Sequence, residues 1–517
     1  MRKRFALVTG LLALAPLAAA QVLVTALPVN PTSLDPHRAI EGYSFMVTNA
    51  LYDTLVRRGP DGAFEPGLAV AWSRPEPTLL RLELRRGVTF HDGRPLDAET
   101  VAASLRRLVD PATGARGGFL LTAVSAIEVI DAHTLDLVND PPFVPLLANL
   151  GFPATAIVPI GAGAALGRAP VGTGPFRFVA WREGEVVELE ANPDYWGGAP
   201  ALAGVRYLVM PERAAQLIAF RAGDLHLIHD LSPDAYHALE GMPGVALVRY
   251  PSDRTTYLGF NLEHPLVQDD RVRRAIAHAI DRELLVEALF RGLALPPAGP
   301  LAPLVRFALR EPDPYAFDPE RARALLLEAG AVGASLTLDL ATDGDLDDVA
   351  TYVQAALGDV GLRVELRRND FPTFFDRLQT GAHALDIGFW GSDTLDPDFM
   401  LSIALHSREV GGNNSSRYVS EVFDELIERA AASDDDAQRA ALYVEAQRLA
   451  LTDLPLLPLY HQRIGHAIQP GHDTAVEFGR APVDRNTMAL RGITHRHRTL
   501  IQHIAQNNAA IIGRAAD

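Results

Sequence analysis

Cysteine is absent from the 517 residues. Its absence excludes disulfides, thiolate metal sites, cysteine nucleophiles and a lipid-bearing N-terminal cysteine. Lysine is nearly absent: Lys3 stands alone, so arginine carries the positive charge of the rest of the chain. Positive charge as a whole is short, with 47 Lys and Arg against 64 Asp and Glu and a formal net charge of -17. That balance argues against nucleic acid or an anionic membrane surface as partner. Gly-x-Ser-x-Gly, His-Glu-x-x-His and a phosphate-loop lysine are also missing, so no motif marks an enzyme. After the first twenty residues, no run is apolar enough to span a membrane.

A strong local signal opens the chain. Arg2, Lys3 and Arg4 precede the apolar run Phe5 to Ala19, and Ala18-Ala19-Ala20 offers small residues for cleavage before Gln21. This is the pattern of a secretory signal peptide over residues 1–20, and the run falls short of the ~20 residues a membrane anchor needs. Removing three positive charges leaves a net charge of roughly -20. With no cysteine at the cut, the expected product is freely soluble and periplasmic, held together by packing alone. Its length exceeds one hydrophobic core, so at least two lobes are expected.

Local patterns then predict the elements. Val22 to Leu27 reads as a strand and Gly42 to Leu55 as a helix. Leu79 to Leu84 alternates as a half-buried strand. Asp97 can cap a helix that places Val101, Leu105, Leu108 and Val109 on one face. Strands follow at Val186 to Leu189 and Val205 to Val209, then a helix from Glu212 to Ala222 stopped by Gly223. Asp270 starts a long helix with Val272, Ile276 and Ile280 on one face, and the Pro-rich Leu295 to Pro303 reads as a surface loop. From Asp318-Pro319-Glu320 onward helix and strand alternate: strand 335–341, helix 346–357, strand 362–367, helix 372–380, strand 385–390. That rhythm calls for a parallel sheet covered by helices, and ligands bind beyond the carboxyl ends of such strands. The loop Trp390 to Asp398 is thereby a candidate binding loop.

Other motifs have plainer readings. Gly161-Ala162-Gly163 with Gly167 lacks the spacing and context of a dinucleotide loop and reads as a flexible connection. Asp343, Asp345 and Asp347 open like a calcium loop, but Asp348 stands where glycine is required, so helix capping explains them better. His495, His497 and His503 lack a carboxylate partner and make a weak metal signal. His226 and His229 read as surface or strand-end residues. No metal or cofactor is expected.

Several segments together resemble the family 5 extracellular solute-binding proteins of ABC importers, the dipeptide, oligopeptide and nickel-binding group. They are Ser33-Leu34-Asp35-Pro36-His37, Leu51-Tyr52-Asp53-Thr54-Leu55, Glu65-Pro66-Gly67-Leu68-Ala69 ahead of Trp72, and Leu84 to Gly93. Gly172-Thr173-Gly174-Pro175-Phe176, Asn192-Pro193-Asp194-Tyr195-Trp196 and Asn261 leading into Arg271 to Arg282 continue the series. The tail beyond about Arg491 matches no family feature. The resemblance implies the α/β periplasmic binding protein fold: two lobes, a hinge between them, and an extra domain inserted in the first lobe. Residues 21–40, 172–262 and 475–517 would form a discontinuous lobe one, residues 41–171 the extra domain and residues 263–474 lobe two.

The same resemblance implies a site. In peptide-binding members a Trp and an Asp three residues later follow a lobe-two strand, and the Asp pairs with the peptide's α-ammonium. Trp390 and Asp393 match those positions, with Gly391 between them. The backbone before the Leu-Asp-Pro motif lies beside the ligand as an added strand in those members. Asn30, Pro31 and Thr32 occupy that place, although Pro31 has no N–H to donate. The implied function is an importer's substrate-binding component: a monomer that captures a small peptide-like solute and hands it to an inner-membrane ABC permease. A nickel-chelator, opine or oligosaccharide receptor on the same fold is the alternative, and a secreted peptide hydrolase is the alternative of another class.

Overall fold

The computed structural model describes residues 21–39, 42–59, 62–342 and 346–469. Residues 1–20, where a signal peptide is expected, Asp343, Asp345 and the C-terminal stretch carrying His495, His497 and His503 lie outside the described residues.

Among the described residues, one mixed sheet of eleven strands forms the main framework. At one end Arg363–Asn369, Ser335–Ala341 and Leu385–Gly391 are parallel, as the strand–helix alternation requires. At the other end Leu227–Ile228, Val22–Leu27, Gly204–Val209, Val186–Ala191 and Phe176–Arg182 follow one another. Two long antiparallel strands, Ala246–Phe260 and Leu456–Ile468, join these halves. Leu385–Gly391 pairs with residues 254–260 of the first, and Leu227–Ile228 pairs with the end of the second. The mutual register of the two long strands slips between Pro251 and Thr255 and again between Thr256 and Tyr257. Bulges of this kind bend a strand and re-aim its side chains. A separate antiparallel sheet, in the order Ala69–Glu76, Leu79–Leu84, Thr134–Asn139, Val124–Asp131, completes the α/β architecture.

Each part has its own apolar centre. Leu338, Leu340, Val353, Leu385 and Ile387 pack beneath the helices of the parallel half. Leu23, Leu27, Phe176, Val205 and Tyr207 pack in the other half, together with Met46, Val47 and Leu51 of the helix Gly42–Leu51. Leu80, Leu82, Leu105 and Leu135 form the core of the separate sheet. With no disulfide available, burial on this scale holds the chain, each fully buried Leu or Phe contributing about 1.5–3 kcal/mol.

Caps and breakers fall largely where the residues place them. The Asp97 carboxylate accepts from Thr100 N–H at 2.8 Å and starts the helix Ala98–Val109. Val101, Leu105 and Leu108 are buried, but Val109 is exposed, since it lies about 80° round the helix from Val101. Gly223 closes the helix Arg213–Ala222 in the left-handed region, φ 86°. Three expectations need correction. The helix from Gly42 stops at Leu51 rather than Leu55, because the Leu51 carbonyl is taken by the Gly174 N–H at 2.9 Å. The helix from Asp270 ends at Ala279, and Ile280 is already extended. The Leu295 to Pro303 segment is not a surface loop: Leu301 and Ala302 are buried against Met400, Tyr443 and Ala446.

Candidate ligand-binding site

Two buried polar knots set the frame around the site, and both are built from the sequence motifs. Asp53 is the centre of the first. Its Oδ2 accepts from Thr173 Oγ1 at 2.9 Å and Trp196 Nε1 at 2.8 Å. Its Oδ1 accepts from Tyr195 Oη at 3.0 Å and Arg57 at 2.5 Å. Three motifs far apart in the chain thus converge on one carboxylate. Glycine is required beside it: a Cβ on Gly172 would stand 2.0 Å from the Leu51 carbonyl oxygen. Asp35 forms the second knot, held by both terminal nitrogens of Arg107, while His37 lies between Arg107 at 2.8 Å and the Ala156 carbonyl at 2.9 Å. Burial pushes His37 down to about 4, so it is neutral near pH 7. These knots are scaffold, because every oxygen is satisfied from within.

The candidate loop follows the strand Leu385–Gly391. Trp390 pairs through its backbone with Thr255 and packs its side chain against the cluster that holds Tyr257, Met400 and Leu401. Asp393 does not cap the helix Pro397–Leu405; Asp396 does, accepting from Asp398 N–H at 3.2 Å. Asp396 Oδ2 also takes Arg439 at 2.9 Å in a buried ion pair. The loop is therefore pinned at its far end while Asp393 is left to other partners.

Asp393 faces a second carboxylate, Asp253. Asp253 lies in the register slip of the long strand Ala246–Phe260, and Gly391 stands between the two acids. A Cβ on Gly391 would lie 2.7 Å from Asp393 Oδ1 and 3.0 Å from Asp253 Oδ2. Asp253 is 1% exposed; Ser252 Oγ reaches its Oδ1, and its Oδ2 accepts no hydrogen bond among the described residues. Burial first and the Asp253 charge second push Asp393 up to about 8, and Arg254, pulling the other way, does not cancel them. Like charges confined together cannot both ionise freely, so the pair holds a proton near neutrality and is primed for a cation.

The other predicted site residues are placed as follows. Asn30 turns its side chain to scaffold: its Oδ1 accepts from Gly184 N–H at 2.9 Å and Trp181 Nε1 at 3.3 Å. Pro31 is buried and Thr32 exposed. The Thr32 N–H donates to Ser44 Oγ at 3.1 Å. No described contact joins Asn30, Pro31 or Thr32 to the loop of Asp393. His226 is a strand-end residue as read, its Nδ1 accepting from Val24 N–H at 3.1 Å.

Sequence reasoning missed Arg58 as well as Asp253. Arg58 reaches across from the strand Val56–Arg58 and donates to the Thr394 carbonyl at 2.6 Å. It is steadied by the Gly62 carbonyl at 2.8 Å and by the Phe64 ring, 3.8 Å below its guanidinium carbon. Phe399 extends the same contact, lying 6.0 Å from Phe119 and 6.3 Å from Phe152. The local sequence around Arg58 carries no signal of this contact, since its partner lies 336 residues away.

The profile of bacterial extracellular solute-binding proteins, family 5, matches residues 63–412. The chain belongs to that family. It is 32% identical over 502 residues to the di/tripeptide-binding protein 2 of Pseudomonas aeruginosa, covering 89% of this chain and 94% of that one. It is 28% identical to the glutathione-binding protein GsiB of Pectobacterium atrosepticum, over 88% of this chain and 92% of the relative. Among solved structures, the periplasmic binding protein DppA of Helicobacter pylori in complex with the peptide STSA is similar, with TM-score 0.78 and 26% identity over 90% of this chain and 97% of that one. This family 5 member is a solute-binding protein and not an enzyme, and it has the periplasmic binding protein fold.

Proposed function

We propose that this family 5 member is the substrate-binding component of an ABC importer, and that it captures a peptide-like solute through the solute's free amine. The observation that carries this reading is the carboxylate of Asp393, raised to about 8 by burial and by Asp253, in the loop beyond a parallel strand. A shielded carboxylate lacking a dominant internal cation gains most from a ligand that brings one. A charge-assisted bond contributes roughly 1.5–3 kcal/mol, a useful share of the ~8 kcal/mol a micromolar ligand requires. Relatives named for di- and tripeptides and for glutathione, each a ligand with a free α-amine, support the same class.

In this reading residues 1–20 are a signal peptide and the mature protein works as a periplasmic monomer with an inner-membrane permease. Lobe one comprises residues 21–40 and 172–262, the extra domain 41–171 and lobe two 263–474; the expected contribution of 475–517 to lobe one lies outside the described residues. Trp390 and Gly391 line the amine end, with the backbone of Asn30, Pro31 and Thr32 facing the ligand from lobe one. The strands Ala246–Phe260 and Leu456–Ile468 serve as the crossings about which the lobes close.

Titrating purified protein with a di- and tripeptide library tests this. Binding of free-amine peptides, weakened at least tenfold by Asp393→Ala, is the expected result; unchanged affinity in that variant would show the amine-anchored pose to be wrong.

A further inference from the structure

Asp253, 1% exposed, is buried beside the loop, and among the described residues its Oδ2 meets no donor other than a proton shared with the Asp393 carboxyl. A proton held between two buried carboxylates can be replaced by a ligand's cation whose N–H groups take over as donors. Asp253 Oδ2 and Asp393 Oδ1 both come within 3.0 Å of one point, the position a Cβ on Gly391 would take. Glycine at 391 keeps the space between the two oxygens open. The bulge in the Ala246–Phe260 strand is what turns Asp253 toward that space, since residues 252–254 have no partner on Leu456–Ile468.

We propose that Asp253 is a second acceptor for the ligand's amine, so that the site selects a primary ammonium by counting its N–H donors and not only by its charge. The proposal rests on the amine-anchored reading above. A carboxylate accepts only, so two of them on different sides of one nitrogen require at least two N–H bonds pointing apart. A primary ammonium offers three. An N,N-dimethylated amine keeps the charge and offers one. An N-acetyl group offers one N–H and no charge. A site with Asp393 alone would rank the first two alike, apart from bulk; a site with both acids separates them.

The test uses isothermal titration of the wild-type protein and of Asp253→Ala with L-alanyl-L-leucine, its N,N-dimethyl form and its N-acetyl form. The wild type is expected to bind the free peptide, to lose at least tenfold on dimethylation, and to lose more on acetylation. In Asp253→Ala, which has no acceptor at that place, the dimethylation loss shrinks below threefold. A dimethylation loss of equal size in both proteins is steric, and overturns the role of Asp253 while leaving Asp393 as the anchor. Equal wild-type affinity for the free and dimethylated peptides overturns it without recourse to the variant, should Asp253→Ala fail to fold. Equal affinity for all three peptides, or binding of none, overturns the amine-anchored reading and this proposal with it.

Discussion

Arg58 donates to the main-chain oxygen of Thr394 across 336 residues of sequence, at 2.6 Å. Thr394 follows Asp393 directly, so the arginine holds the backbone of the loop that carries the proposed amine anchor. Burial pushes Arg58 down to about 10, still fully charged near neutrality. In the proposed two-lobe account it ties the extra domain to lobe two and belongs to the closed state.

Arg58→Ala is therefore expected to weaken ligand binding by about tenfold through loss of the closed state, the size of one charge-assisted hydrogen bond. Fluorophores attached at introduced cysteines, one on each side of the cleft, read the distance directly; the wild-type chain has no cysteine to interfere. Ligand should shorten that distance less in the variant, while the thermal midpoint of the free protein changes little.

Affinity for a free-amine peptide should climb between pH 6 and 8. Asp393 is raised to about 8, so below that pH the ammonium has to displace a proton. The climb approaches tenfold per unit and turns over above pH 8 as the peptide's own α-amine, with a pKa of roughly 7.7–8.0, loses its charge. Removing the Asp253 charge with Asp253→Asn lowers Asp393 and flattens the climb. Titration calorimetry across this range checks it, and a flat wild-type profile would contradict it.

Asp53→Asn should destabilise the fold without reshaping the site. Four donors meet that carboxylate, and an amide can accept with only one oxygen. A loss of about 2–4 kcal/mol is expected in urea unfolding, with ligand affinity of the folded fraction within threefold of wild type.

How much of this was legible in the residues differs by element. Asp97, Gly223 and Asp318 announced helix ends because capping is local chemistry. The alternation after residue 318 announced the parallel half because period and breaker residues are local too. The Asp53 knot was visible only as three separate motifs; nothing within Leu51 to Leu55 tells that Thr173 and Trp196 will complete it. Asp253 was invisible as a site residue. It reaches Asp393 through the pairing of Arg254 with Gly391 and a slip in register with the neighbouring strand, and both are tertiary facts. Arg58 was hidden for the same reason.

A buried acid away from the site offers a stability test. Asp386 is fully buried in the strand Leu385–Gly391, and neither of its oxygens has a described hydrogen-bond partner. Burial first, then the nearby Asp339 charge, push it up to about 7. His383, 3.7 Å away, is itself pushed down to about 4 and brings no charge near neutrality. A carboxyl raised in the folded state binds its proton more tightly there than in the unfolded chain. Its contribution to stability is complete below about pH 4 and is lost as pH rises toward 7. Asp386→Asn should gain on wild type across that window, by on the order of 4 kcal/mol at pH 8, and match it closely at pH 4. Thermal melts of both proteins at the two pH values measure the difference; a gap that does not widen with pH would contradict the assignment.

Capture of a peptide-like solute by its free amine, as proposed, leaves a ligand that can be weighed. Native mass spectrometry of the protein isolated gently from its host weighs whatever remains bound. A released species of peptide mass, whose retention is lost in Asp393→Ala, is the predicted result. A metal chelate, an opine or a sugar, retained equally by wild type and Asp393→Ala, would contradict it.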